Sequence, residues 1–257
     1  WRSTSQREAQ QRRSTSQREA QQRRSTSQRE SIAMAEVDTF MAKDSRISRV
    51  FYHVARFIVV GLTRLFTRLE VHGSHHVPVT GAFVLAPIHR SNIDTPIAAA
   101  VTRRRLRFMG KDSLWRHQPI RWLLSALGGF PVTRGSADRE ALARCIAVLK
   151  AGEPLVLFPE GTRQSGPIVQ PLFDGAAYVA VKASVPIIPV GIGGSEGVMP
   201  KGSRMIRPKK CVVIVGQPIM AVADEQGRVP RSAVKETTEE LSRQLQNLFE
   251  EAENRSI

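Results

Sequence analysis

The chain has 257 residues, 38 Lys and Arg against 23 Asp and Glu, and a formal net charge of +15. A hydrophobic share of 41% is enough to build a core, which excludes a wholly disordered chain. The 2 cysteines exclude a disulfide framework or a cysteine-based zinc module. The charge asks for an anionic partner and leaves open nucleic acid, an anionic membrane or a phosphorylated substrate.

Residues 1–40 read as a basic tail, and residues 41–257 as one folded domain. RSTSQREAQQR occupies residues 2–12, recurs at 13–23 and begins a third time at 24–30. A coiled coil would need an apolar seam. Each full unit offers one alanine, so the repeat predicts a disordered polar extension. Residues 1–33 hold eight Arg and three Glu, so most of the excess charge belongs to the body.

Apolar residues from 45 to 70 recur at helical spacing and are interrupted by Arg49, Arg56, Arg64 and Arg68. The run from Phe57 to Thr63 is far short of the ~20 apolar residues of a membrane span. The segment therefore predicts an amphipathic helix, either lying on a membrane or packed on its own domain. Further on, strand-like runs at 82–87, 106–109, 129–133, 154–158, 185–192 and 210–215 alternate with helix-like stretches. The latter cover 95–103, 113–127, 138–150, 175–183 and 232–252. Alternation with continuous apolar runs predicts a single α/β domain with a mostly parallel central sheet flanked by helices. Trp115, Trp122, Arg116 and Arg121 in the stretch 113–127 suit a membrane interface as well.

Polar clusters follow the strand-like runs, where open α/β sheets bind ligands. IHRSNIDTP at 88–96 places His89 after a strand and Asp94 before a helix. A carboxylate on one imidazole nitrogen would fix the tautomer and raise the basicity of the other. The alternative makes Asp94 a helix N-cap and His89 a polar strand end. GGFPVTRG at 128–135 offers Arg134 for a phosphate, and FPEGTR at 158–163 puts Glu160 and Arg163 on a tight turn. VPIIPVG at 185–191 reads as a structural strand.

Taken in order, HRSNID, GGFPVTRG, FPEGTR and VPIIPVG resemble the four sequence blocks of the glycerolipid acyltransferases. The likeness is greatest to those acting on 1-acylglycerol-3-phosphate and spans residues 71–216. The resemblance implies that His89 is the general base and that Asp94 orients it. It implies that Arg134 and Arg163, with Lys111, bind the acceptor's phosphate in a site shaped by Glu160, Gly161 and Thr162. Pro186 would shape the acyl-donor side. Ser113 departs from the family pattern, which often has a glutamate there. The implied partners are lysophosphatidic acid, acyl-CoA or acyl carrier protein, and an anionic membrane at its cytoplasmic face. Neither a metal nor a cofactor is implied. A non-catalytic basic module binding lipid or nucleic acid is the rival; the absence of an RNP-like aromatic strand argues against nucleic acid.

Other motifs point away from this chemistry. GGSEG at 193–197 matches the G-x-S-x-G nucleophile elbow, but the following VMPKG predicts a turn where that motif needs a helix. His72, His75 and His76 predict a solvated turn, and Arg103 to Arg105 a basic loop.

Overall fold

The computed structural model describes residues 46–111, 115–116, 118–132, 138–200, 202–203, 205–224 and 227–257. The repeat tail and Arg134 lie outside the described residues. Seven strands form one sheet in the order β1-β7-β6-β2-β5-β3-β4. They are β1 (Glu70–His72), β2 (Val84–Pro87), β3 (Arg107–Lys111), β4 (Gly129–Val132), β5 (Leu155–Val156), β6 (Ile187–Gly193) and β7 (Val212–Val215). The five strands from β6 to β4 run parallel. β7 meets β6 antiparallel, and β1 pairs parallel with β7.

β2, β5, β6 and β7 are buried at every position, which explains their unbroken apolar runs. β5 is only two residues long although the sequence predicts a longer strand; Leu157 N still bonds the Leu85 carbonyl of β2 at 3.0 Å. β1 escapes sequence prediction because EVH carries a single apolar residue. Connections are made by α1 (Arg46–Thr67), α2 (Asp94–Ala100), α3 (Gln118–Ala126), α4 (Asp138–Lys150), α5 (Gly175–Ala183), α6 (Ser195–Val198) and α7 (Arg231–Ser256).

α7 buries Leu241, Leu245, Phe249 and Ala252 along one stripe against β6. Glycine is required where the two backbones meet: a Cβ at Gly191 would lie 2.3 Å from the Leu248 carbonyl oxygen. α1 ends where Arg68 takes φ +44°. Its inward side is Tyr52, Val60, Thr63 and Thr67, with Arg56 bonded through Nε and Nη2 to the Ala99 carbonyl at 3.2 and 3.0 Å. The apolar stripe points the other way, leaving Phe57 78% and Leu65 73% exposed.

The helix also corrects the expectation that it is too short of apolar residues to span a bilayer. Within Val50–Thr67, α1 is long and apolar enough to cross a membrane by length and composition, because only Arg56 and Arg64 are charged. One whole side is nevertheless occupied by the domain.

The position of the site follows from the topology. β2 and β5 are adjacent and parallel, yet they feed opposite directions. From β2 the chain passes through α2 to β3, beyond β5; from β5 it returns through α5 to β6, beyond β2. The carboxyl ends of these two strands therefore flank a topological switch point, where a crevice opens between diverging loops.

Candidate active site

His89 follows β2 and Asp94 is the first residue of α2. The turn between them brings His89 Nδ1 to 3.1 Å from Asp94 Oδ2. Asp94 does not cap α2: its side chain makes no cap bond there and turns back instead. Oδ2 accepts the backbone N–H groups of Arg90 and Ser91, each at 2.6 Å. Three donors thus fix one oxygen of a carboxylate that is completely buried. A carboxylate can only accept, so Nδ1 carries the imidazole proton and Nε2 presents a lone pair. The ring is stacked on Phe158, with centroids 4.0 Å apart, and its side chain keeps 18% exposure.

FPEGTR comes to the same crevice after β5. Glu160 is 1% exposed and its carboxylate is fully engaged. Oε2 accepts from His89 N at 3.0 Å, Oε1 from Gln170 N at 3.1 Å, and Arg90 Nη1 reaches both oxygens at 2.8 Å. Arg90 is wholly buried, bonds the carbonyls of Gly166 and Ile168, and lies 4.9 Å over the Phe249 ring. The Arg90–Glu160 pair therefore joins the loops after β2 and β5 to α7. Both Glu160 oxygens are taken by these protein donors.

Gly161 adopts φ +70°, and a Cβ there would come within 2.8 Å of the Phe173 ring. Thr162 is exposed, and its Oγ1 accepts from Gln164 Nε2 at 3.1 Å. The Gln164 N–H bonds the His89 carbonyl at 2.8 Å, which ties the backbone after Arg163 to the residue that opens the β2 loop. Arg163 is half-buried and forms no ion pair or hydrogen bond among the described residues. Lys111 ends β3 at the same edge of the sheet.

Pro186 sits apart from the dyad. It precedes β6 and its carbonyl accepts from Val84 N at 3.0 Å, at the start of β2. His89 follows the other end of β2, so the sheet's register separates Pro186 from the dyad by the length of a strand.

GGSEG forms no nucleophile elbow. A four-residue helix, α6, begins inside the motif at Ser195 and ends at Val198, and Ser203 N bonds the Pro200 carbonyl at 2.9 Å in the segment beyond. Ser195 has 0% exposure and its Oγ has no hydrogen-bond partner among the described residues, which is the opposite of an exposed nucleophile. Glu196 accepts from Gly166 N at 3.2 Å. The histidine turn is also more engaged than predicted: His76 Nδ1 lies 2.9 Å from the Val215 carbonyl and Nε2 is 2.9 Å from Gln217.

Sequence reasoning missed Arg90, Ser91 and Phe158. The available signal was charge complementarity: an arginine in the first block and a glutamate in the third, both next to apolar strands. Ser91 also donates from Oγ to the Met199 carbonyl at 2.8 Å, tying the His89–Asp94 turn to the segment after β6.

Comparison with known proteins bears on the fold and the reaction class. The acyltransferase family model matches residues 68–193, which contain the dyad and the FPEGTR turn. The 1-acyl-sn-glycerol-3-phosphate acyltransferase of Bacillus subtilis is 25% identical over 181 residues, covering 70% of this chain and 87% of that protein. A chloroplastic 1-acyl-sn-glycerol-3-phosphate acyltransferase of Brassica napus is 27% identical over 185 residues; the chain spans 54% of its length. The crystal structure of the 1-acyl-sn-glycerophosphate acyltransferase PlsC from Thermotoga maritima superposes with a TM-score of 0.65 at 26% identity, over 81% of this chain and 84% of that one. With the blocks in order and this fold around them, residues 68–193 form an acyltransferase domain and the chain is an O-acyltransferase.

Proposed function

We propose that the protein transfers an acyl group from a thioester to the free hydroxyl of 1-acylglycerol-3-phosphate, forming phosphatidic acid. The observation that carries this reading is the His89–Asp94 contact of 3.1 Å at the β2/β5 crevice. His89 Nε2 takes the hydroxyl proton as the oxygen attacks the thioester carbonyl. Asp94 stabilises the imidazolium that results. The tetrahedral oxyanion collapses, the C–S bond breaks, and the imidazolium returns its proton to the departing thiolate. No covalent acyl-enzyme is needed. Arg163 supplies a guanidinium for the acceptor's phosphate, together with Lys111 at the end of β3 and Arg134, which follows β4 in the sequence. Acyl-CoA and acyl carrier protein present the same thioester, and either fits this chemistry.

The acyl chain has a candidate seat. An almost wholly apolar cavity of about 270 Å³ begins at Thr95 and Pro96, beside Asp94. It runs under α1 between Val60, Ala99, Phe108 and Leu127.

The outward face of α1 supports a peripheral position on a membrane. An ordinary surface helix turns its apolar stripe inward; here Phe57, Leu62 and Leu65 face out while Tyr52, Arg56 and Thr63 face in. Trp122 of α3, 55% exposed and 4.6 Å from the Phe51 ring, extends the ridge. Such a face binds lipid by burying its apolar area, aided by attraction to anionic headgroups.

Thiol release from acyl-CoA in the presence of 1-acylglycerol-3-phosphate tests the reaction. His89→Ala lowers turnover by about 10²–10⁴-fold, the usual worth of a general base. Unchanged turnover in that variant overturns the mechanism.

A further inference from the structure

A second cavity, of about 730 Å³, lies beside α1 on the opposite edge of the sheet from the dyad. The topology fixes that placement. Its walls include Ala100 and Val101 at the carboxyl end of α2, whereas Asp94 opens that helix. They also include Val77 and Pro78, which lead into the amino end of β2, whereas His89 follows its carboxyl end.

The lining is chemically one-sided. It contains Arg56, Arg64, Arg103 and Arg104 and not one acidic residue. Two of the four are committed to the fold. Arg56 holds the Ala99 carbonyl, and Arg104 bonds the Pro78 carbonyl at 3.1 Å while lying over the Phe83 ring. Arg64 and Arg103 have no ion pair or hydrogen bond among the described residues, and both are exposed. The pKa of Arg56 is lowered mainly by burial, with Arg64 and Arg103 adding repulsion against an opposing effect of Tyr52. The three guanidiniums therefore crowd one another with no local counter-charge. Phe57, Val60 and Val101 supply apolar wall between them, and Phe57 continues onto the outward face of α1.

A cationic mouth on an apolar wall, open to a membrane-facing helix, matches an anionic amphiphile better than a soluble anion. We propose that this cavity is a second, non-catalytic site for an anionic membrane phospholipid. The phosphate sits between Arg64 and Arg103, and the start of an acyl chain lies along Phe57 and Val60. The site rests on the membrane position argued above and adds a headgroup contact that holds α1 and α2 at the bilayer.

Vesicle flotation of the full chain tests the site. The probes are neutral phosphatidylcholine vesicles and the same vesicles containing phosphatidic acid. The wild type binds neutral vesicles through the α1 face and gains affinity with phosphatidic acid. Arg64→Gln with Arg103→Gln keeps neutral binding and loses about 25-fold of the gain, since each arginine at an anionic surface is worth roughly a factor of five. Lys235→Gln with Arg243→Gln, the same charge loss on exposed α7, costs under about threefold. Equal losses in the two double variants overturn the site, because they mean diffuse charge. Abolition of the gain by millimolar inorganic phosphate at constant ionic strength also overturns it, in favour of a free-phosphate site. A wild type that binds neither vesicle removes the membrane position itself, and the lipid site with it. Neutral binding without any phosphatidic acid gain overturns the site alone.

Discussion

Replacing Glu160 by glutamine separates a structural acid from a ligand-binding one. The carboxylate neutralises Arg90, which has 0% exposure, and accepts the His89 and Gln170 N–H groups. Glutamine keeps the shape but removes the charge, leaving a guanidinium buried without its partner. Breaking a buried pair from one side costs about 3–5 kcal/mol. At about 2–4 °C per kcal/mol for a domain of this size, Tm falls by about 6–20 °C. Thermal unfolding by circular dichroism reads this directly. Adding Arg90→Met to Glu160→Gln removes the stranded charge and fills the space, so most of the lost stability returns. Turnover stays depressed in the double variant, because His89 no longer has a charged acceptor at its backbone. A loss below about 2 °C in Glu160→Gln refutes the argument, since the pair would then not hold the loops together.

Arg163→Ala raises KM for the lysophospholipid by roughly 10- to 100-fold with a smaller change in kcat, the scale of one charge-assisted bond to phosphate. Thiol-release kinetics distinguish the two constants. Gly161→Ala lowers stability by about 1–2 kcal/mol through its left-handed backbone alone, with the Phe173 contact adding to that. Phe173→Ala in the same chain relieves the contact and not the backbone strain, so urea midpoints recover only in part. Burial pushes the Cys145 thiol up to about 12, and burial, followed by the charges of Asp94 and Glu253, does the same for Cys211. Between the unfolded thiol's ordinary value, about 8.5, and that range, the unfolded chain sheds protons that the folded one keeps, so stability falls as pH rises. Urea midpoints should drop less steeply above about pH 9 in Cys145→Ala than in the wild type.

The sequence made the local chemistry legible and left the assembly open. His89 and Asp94 stand five residues apart in one turn, so their pairing needed only that the turn close. α4 and α5 match their predicted bounds because each starts beside an aspartate, Asp138 or Asp174, ahead of an apolar-periodic run. The Arg90–Glu160 pair was not legible, since it joins residues 70 apart through a strand order that periodicity does not encode. Pro186 lies in a diagnostic block, but only strand direction shows which edge of the sheet it occupies. α1 presents the same limit differently. Helical spacing of apolar residues says that a helix has two faces and not which one meets the domain. Here Arg56, which interrupts the apolar pattern, is part of the docking seam.

The membrane position proposed above carries an orientation, set by the distribution of charge. Residues 46–108 carry ten arginines against two acids, whereas α7 carries four basic residues against six acidic ones. On α7 several pairs close within the helix, as between Arg243 and Glu240 or Arg255 and Glu251. In the α1–α2 region no comparable supply of acids exists, and Asp94 is already committed to His89. Some of these arginines face inward: Arg90 is neutralised and Arg56 is spent on helix carbonyls. Arg64 and Arg103 are exposed beside the helix that presents its apolar stripe outward. An anionic bilayer therefore attracts the same surface that apolar burial favours, while α7 is turned from it by its own acids. The two forces select one orientation, with the cavity of Phe108 and Leu127 beneath the lipid-facing helix and the dyad at its end.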